Sequence, residues 1–264
     1  MKGTKSVGGL GDRLRAGVRR FAEWIIGLPR PTLILLLVLL AAGLAVTGLF
    51  HLAGEILEAV ADRQGIALWD RPVLDWAMAR RTGATTTVLM WFTNSGGPIW
   101  QPIIMMVISL LLWWRWRNPT PVVLVLLVQI GAVLISTTTK GVIGRPRPPV
   151  IDAVPPYETS PSFPSGHSLQ AFAAATIVCY LLIRHIWNRP SWQRVLIALL
   201  GLGYAATMAF SRVYLGYHWL TDVLAAALLG LAWALIVIAC HRVWRTIRKR
   251  REGRPVEADG APPS

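Results

Sequence analysis

The chain has 264 residues, of which 54% are hydrophobic and only 15% charged, with a mean hydropathy of +0.49. An ordinary soluble domain carries about 25% charged residues, so this composition excludes one and implies an all-α, polytopic membrane protein with no separate soluble domain. The net charge of +14 does not mark a nucleic-acid binder, because the basic residues sit at the termini and in short gaps between apolar runs rather than in a basic module.

In chain order, residues 1–30 are a polar, basic N-terminus. Six membrane segments follow: Pro31–Phe50, Pro98–Trp114, Pro119–Thr139, His167–Trp187, Trp192–Phe210 and Trp219–Cys240. The first is long for a signal-peptide core and lacks a small-residue cleavage site after it, so it is expected to be retained. Trp113, Trp114, Trp116, Trp187, Trp192 and Trp219 fall at segment ends, as an interfacial belt does. Residues 31–240 thus form a six-helix membrane domain, and residues 241–264 a basic tail whose end, Gly253–Ser264, is expected to be disordered. With both termini in the cytoplasm, 19 of the 27 basic residues face inward, which sets the expected topology of a multi-pass protein of the bacterial inner membrane.

Two stretches then lie outside. In residues 51–97, Glu55, Glu58 and Asp62 recur at helical spacing, and Asp70-Arg71-Pro72 reads as a second helix start. A pair of helices on the membrane surface is expected there, either simply interfacial or shaping a lipid entrance. Residues 140–166 are proline-rich with little apolar periodicity, and read as a structured loop. Cys179 and Cys240 lie in apolar segments without a Cys-x-x-Cys pair and read as packing residues. His51, His185 and His241 read as structural.

Three polar clusters remain, each where an apolar segment meets the outer surface: Lys140 to Arg147-Pro148, Pro164-Ser165-Gly166-His167, and Ser211-Arg212 followed by His218 and Asp222. Their order and spacing resemble the three signature motifs of the type-2 phosphatidic acid phosphatase superfamily, which includes the vanadium haloperoxidases. The first motif, Lys-x6-Arg-Pro, is met by Lys140 and Arg147; Arg145-Pro146 has the wrong spacing and takes no motif role. The motif region covers residues 140–222.

The residues suit the chemistry that resemblance implies. A transferring phosphoryl group needs cationic donors around its oxygens. Lys140, Arg147 and Arg212 supply them, although any one alone could simply meet lipid headgroups. Ser165 and Gly166 precede an apolar helix whose free N–H groups form an anion site; Ser165 also reads as an ordinary N-cap, and the two roles are compatible. His218 and Asp222, four apart at the start of the last helix, share a face, so the carboxylate can hold one ring nitrogen protonated while the other attacks. His167 is then the general acid at the leaving oxygen. The resemblance implies a phosphohistidine intermediate hydrolysed by water, with no metal and no cofactor. The expected partners are a lipid phosphate substrate and the surrounding membrane lipids.

The motifs do not separate prenyl diphosphates, phosphatidylglycerol phosphate, phosphatidate and lipid A phosphates. Undecaprenyl diphosphate is the favoured expectation, with Arg145 suited to hold its second phosphoryl group. A lipid phosphotransferase and a non-catalytic membrane scaffold are the rival readings; a haloperoxidase would gain nothing from six membrane helices.

Overall fold

Proline and hydroxyl residues punctuate the helix starts in the computed structural model, which describes residues 9–26 and 29–252. Their helices are α1 (Gly9–Ile26), α2 (Arg30–Asp62), α3 (Asp70–Met78), α4 (Gly83–Ser95), α5 (Trp100–Trp116), α6 (Thr120–Ile143), α7 (Gly166–His185), α8 (Ser191–Tyr214) and α9 (Leu220–Arg251). Prolines occupy the first turns of α2 and α6, where a missing N–H costs nothing. A Thr82–Thr85 capping box opens α4, and the Ser165 hydroxyl caps α7. No strand occurs among the described residues. The expected disorder of Gly253–Ser264 lies outside them.

Five of these helices, α2, α6, α7, α8 and α9, are long and apolar enough to cross a bilayer. The sixth span differs from its expected form. The segment expected at Pro98–Trp114 is the 17-residue α5, and it passes the same test only together with α4, from which it is bent by 60°. Gly96, Gly97 and Pro98 make that break, because neither glycine favours helix interior and proline removes a donor. The first span also differs. It does not stop at Phe50 but runs as one helix through Glu55 and Glu58 to Asp62, ending with Arg63 in the left-handed region. The helical spacing of those acids was therefore the continuation of a span, not a separate helix. The second helix start at Asp70 is α3.

At the centre lies α7, packed against α6, α8 and α9. Lipid tails are as apolar as leucine, so helices associate in a bilayer chiefly by close packing of small residues. Ala171, Ala173 and Ala174 on α7 and Ala225 and Ala226 on α9 are accordingly buried. Gly230 lets α9 come close to the α7 backbone: a Cβ there would lie 2.5 Å from the Leu169 carbonyl oxygen. Leu124, Val128, Leu169, Ile177 and Val237 fill the same core. This packing fixes the N-terminal ends of α7 and α9 beside each other, and Ser165 N–H donates to the Asp222 carbonyl at 3.2 Å.

Candidate active site

The turn between α8 and α9 and the loop from 144 to 165 build one another. Gly216 has φ +78°, and a Cβ there would lie 2.4 Å from the Asp152 carbonyl oxygen, so only glycine lets the two backbones meet. Val154 N–H donates to the Leu215 carbonyl at 2.9 Å and Ser162 N–H to that of Arg145 at 2.8 Å. The loop thereby carries Arg147, Glu158 and Ser162 to His218.

His218 is 1% exposed. Arg147 Nη1 lies 3.1 Å from its Nε2, while Ser162 Oγ and Asp222 Oδ2 lie 3.3 Å and 3.4 Å from its Nδ1. With a cation donating at Nε2, the ring proton sits on Nδ1. The Nε2 lone pair is the one presented toward the cationic side chains. Burial, then Arg147 and Arg212, hold the imidazole well below its ordinary value of 6.5, so it stays neutral. The i, i+4 spacing of His218 and Asp222 meets as expected but for a different reason. His218 precedes the helix, which begins at Leu220. Asp222 instead folds back as a cap, accepting from Trp219 N–H at 2.9 Å and from Ser162 Oγ.

Behind Asp222 lies a buried charge network that sequence reasoning missed. Arg145 donates through Nη1 to Asp222 Oδ1 at 2.5 Å and through Nη2 to Asp70 Oδ2 at 2.6 Å. Asp70, at the start of α3, also accepts from Thr221 N–H at 2.8 Å. Arg145 is thus committed to two carboxylates. The expectation that it holds a second phosphoryl group is corrected: its guanidinium supports Asp222 from the side away from the cavity.

In front of His218 is a cavity of about 610 Å³, lined among others by Lys140, Glu158, Gly166, His167, Arg212 and His218. Arg147 and Asp222 reach it through their contacts with His218, and Ser165 directly precedes Gly166 on its wall. All eight residues singled out in the three motifs therefore converge. Lys140 Nζ donates to Ser160 Oγ at 3.1 Å and to the Pro161 carbonyl. Arg147 also holds Ser160 and the Tyr217 carbonyl. Arg212 is 1% exposed, stacked over the Tyr217 ring at 4.4 Å, with Nη1 on Thr93 Oγ1 at 3.0 Å. His167 faces the break between α4 and α5; a Cβ on Gly97 would lie 3.7 Å from its Nε2.

Glu158 was also missed. Its Oε2 pairs with Arg147 Nη2 at 2.7 Å, and its Oε1 pairs with Arg212 Nη2. Burial pushes this carboxyl up, but Arg212 and Arg147 more than offset that and hold it at about 2. The available signal was an acid, one of two with Asp152, in a loop flanked by motif cations. Among the described residues, no group of three or more His, Cys, Asp or Glu is arranged to hold a metal ion.

Two arginines that hold a carboxylate beside a neutral histidine have the charge and donor geometry to hold another oxyanion in its place. The family model of the PAP2 superfamily matches residues 121–246. The fold overlays on the transmembrane PAP2-type phosphatidylglycerolphosphate phosphatase of Bacillus subtilis with a TM-score of 0.68 and 26% identity, covering 75% of this chain and 96% of that one.

Residues 121–246 belong to the PAP2 superfamily. Like that structure, this chain is a multi-pass membrane protein. LpxE of Aquifex aeolicus shares the fold at a TM-score of 0.52 and 20% identity, over 64% of this chain and 94% of that one. In sequence, the protein is 37% identical over 98 residues to phosphatidylglycerophosphatase B of B. subtilis, 37% of this chain and 47% of the relative. It is 31% identical over 154 residues to undecaprenyl-diphosphatase of Sulfolobus acidocaldarius, 56% of this chain and 66% of the relative. The matches span about half the length of the first relative and just under two thirds of the second.

Proposed function

We propose that this protein is a lipid phosphatase working through a phosphohistidine on His218. The observation that carries the reading is the Glu158 carboxylate held between Arg147 and Arg212, with Arg147 also 3.1 Å from His218 Nε2. An internal anion occupies the place where a substrate phosphate would meet the attacking nitrogen. On substrate binding the phosphate takes over both guanidinium groups and Lys140, and the N–H groups at the start of α7 add further donors. His218 Nε2 attacks phosphorus, and Asp222, itself held by Arg145, keeps Nδ1–H oriented. His167 gives its proton to the departing lipid oxygen, then accepts one from the water that cleaves the phosphohistidine.

The relatives named above support a phosphorylated membrane lipid as substrate. With Arg145 engaged elsewhere, the charge argument for a diphosphate falls away, and undecaprenyl diphosphate loses its preference over a glycerolipid phosphate. Both termini are read as cytoplasmic and the site as outside, on the distribution of basic residues. Cysteine labelling of intact cells tests this with Ile151→Cys, 92% exposed beside the site, and Asn188→Cys, in the connection from α7 to α8. Labelling of the second alone from outside would overturn the topology.

For the activity, purified protein in detergent is assayed for phosphate release from undecaprenyl diphosphate, phosphatidylglycerol phosphate, phosphatidate and a lipid A phosphate. Acid-labile, base-stable phosphoprotein is trapped in parallel. Release from at least one lipid, with both signals lost in His218→Ala, is expected. Release that persists in that variant refutes the mechanism.

A further inference from the structure

Below the catalytic cavity lies a second, apolar one of about 430 Å³ between α5, α7 and α8. The two share three walls. On α7, His167 and Gln170 line the upper cavity, and Ala174, Val178 and Leu182 continue the same face downward. On α8, Arg212 is above, and Tyr204, Gly201 and Ile197 are below. Past the α4–α5 break, Gly97 and Trp100 line the upper cavity, and Gln101, Ile104 and Ile108 the lower.

Gln101 stands out on that third wall. It is 1% exposed, and among the described residues neither its amide oxygen nor its amide nitrogen has a hydrogen-bond partner. A buried amide left unpaired is costly and rare, and asks for a ligand that completes it. The other polar groups there have partners: Ser95 donates its hydroxyl to the Phe92 carbonyl at 2.7 Å, Cys179 Sγ donates to the Ile197 carbonyl at 3.3 Å, and the Tyr204 hydroxyl is hydrogen-bonded to Ser95. Gln101 N–H donates to the Gly97 carbonyl at 3.1 Å, so Gln101 lies one helical turn, about 5.4 Å, below the residue that abuts His167.

We infer that Gln101 is a specificity-determining subsite that donates to an ester carbonyl of an acylglycerol phosphate, with the apolar groove beneath it taking the adjoining acyl chain. The inference rests on the phosphatase reading. With the leaving oxygen at His167, the glycerol backbone of such a lipid puts its first ester carbonyl a few bonds away, at the depth of Gln101. A prenyl diphosphate has only hydrocarbon there and would leave the amide unpaired. Because α5, α7 and α8 wall both cavities, the substrate's own tail is the occupant.

The test uses the full chain in detergent micelles and compares kcat/KM for dioctanoyl phosphatidate, its diether analogue and farnesyl diphosphate. Wild type should favour the diester over the diether by up to about tenfold, the worth of one good hydrogen bond, and Gln101→Met should collapse that ratio toward one. A wild-type ratio of one, or a ratio unchanged in Gln101→Met, overturns the subsite. If Gln101→Met does not fold, the wild-type ratio still decides the carbonyl. Ala175→Phe, on the groove wall, decides the chain: it should depress dipalmitoyl phosphatidate more than the dioctanoyl lipid, and equal loss refutes the groove. Phosphate release from farnesyl diphosphate with no diester preference sinks this inference and spares the phosphatase reading. Absence of release from every lipid sinks the reading itself.

Discussion

Arg145 shows how one side chain can be misassigned by what surrounds it in sequence. It stands between two motif cations, yet its partners are the buried Asp222 and Asp70. Removing one member of such a network strands the others, at a cost of roughly 3–5 kcal/mol. Arg145→Ala should therefore lower thermal stability and depress turnover of monoesters and diphosphates alike. A selective loss on diphosphates would return it to the substrate. His218 makes a prediction of opposite character. Its depressed pKa leaves the neutral base populated as pH falls through 6.5, and that base is lost only below the lowered value. Phosphoenzyme formation, followed by rapid quench, should hold across that range, whereas the neutral burial costs stability there because the unfolded imidazole takes up a proton first. A rate that halves near 6.5 in wild type and in His167→Ala alike, with a substrate that does not itself titrate there, would show that the His218 imidazole is not held low. Glu158 sets a third expectation. Free phosphate must displace a carboxylate already paired with both arginines, so product inhibition should be weak. Glu158→Gln should lower the inhibition constant of inorganic phosphate by about tenfold, equivalent to 1.4 kcal/mol, and no change would remove the carboxylate from the phosphate seat.

Elements were legible where a single stretch of chain encodes them. The three motifs mark helix ends, so Lys140, Ser165, Arg212 and Asp222 could be placed at one surface from apolar run lengths alone. The Asp70–Arg145 and Thr93–Arg212 contacts could not, because they join residues of the 51–97 stretch to residues far along the chain, and no local pattern specifies such pairing. The acids after Phe50 failed differently: helical spacing correctly reported helix, but nothing in it said the helix was the preceding span continued. Gly230 is a positional case. In sequence it is one glycine in an apolar run, and in the fold it sets how near α9 comes to α7. Gly230→Ala would put a methyl 2.5 Å from the Leu169 carbonyl oxygen, and overpacking of this kind costs about 1–3 kcal/mol. Thermal unfolding in detergent should show the loss, together with reduced turnover, since α7 carries His167 and α9 carries Asp222. An unchanged melting temperature would mean that the helices separate at little expense.

For the molecule as a whole, the decisive feature is that the lower groove has an open side. Ile104 and Leu200 line it and are 38% and 65% exposed, on a surface that hydrocarbon rather than water would cover. A lipid could then slide in laterally with its tail never crossing an aqueous phase. Encounter would become a two-dimensional event, governed by how densely substrate populates the surface rather than by how much is in the tube. Velocity should accordingly track the mole fraction of substrate in mixed micelles: adding detergent at fixed bulk substrate should slow the reaction by dilution within the surface, and adding both in proportion should leave the rate per enzyme unchanged once all enzyme is micelle-bound. Rates that instead follow bulk concentration at constant mole fraction would mean that the lipid arrives through water.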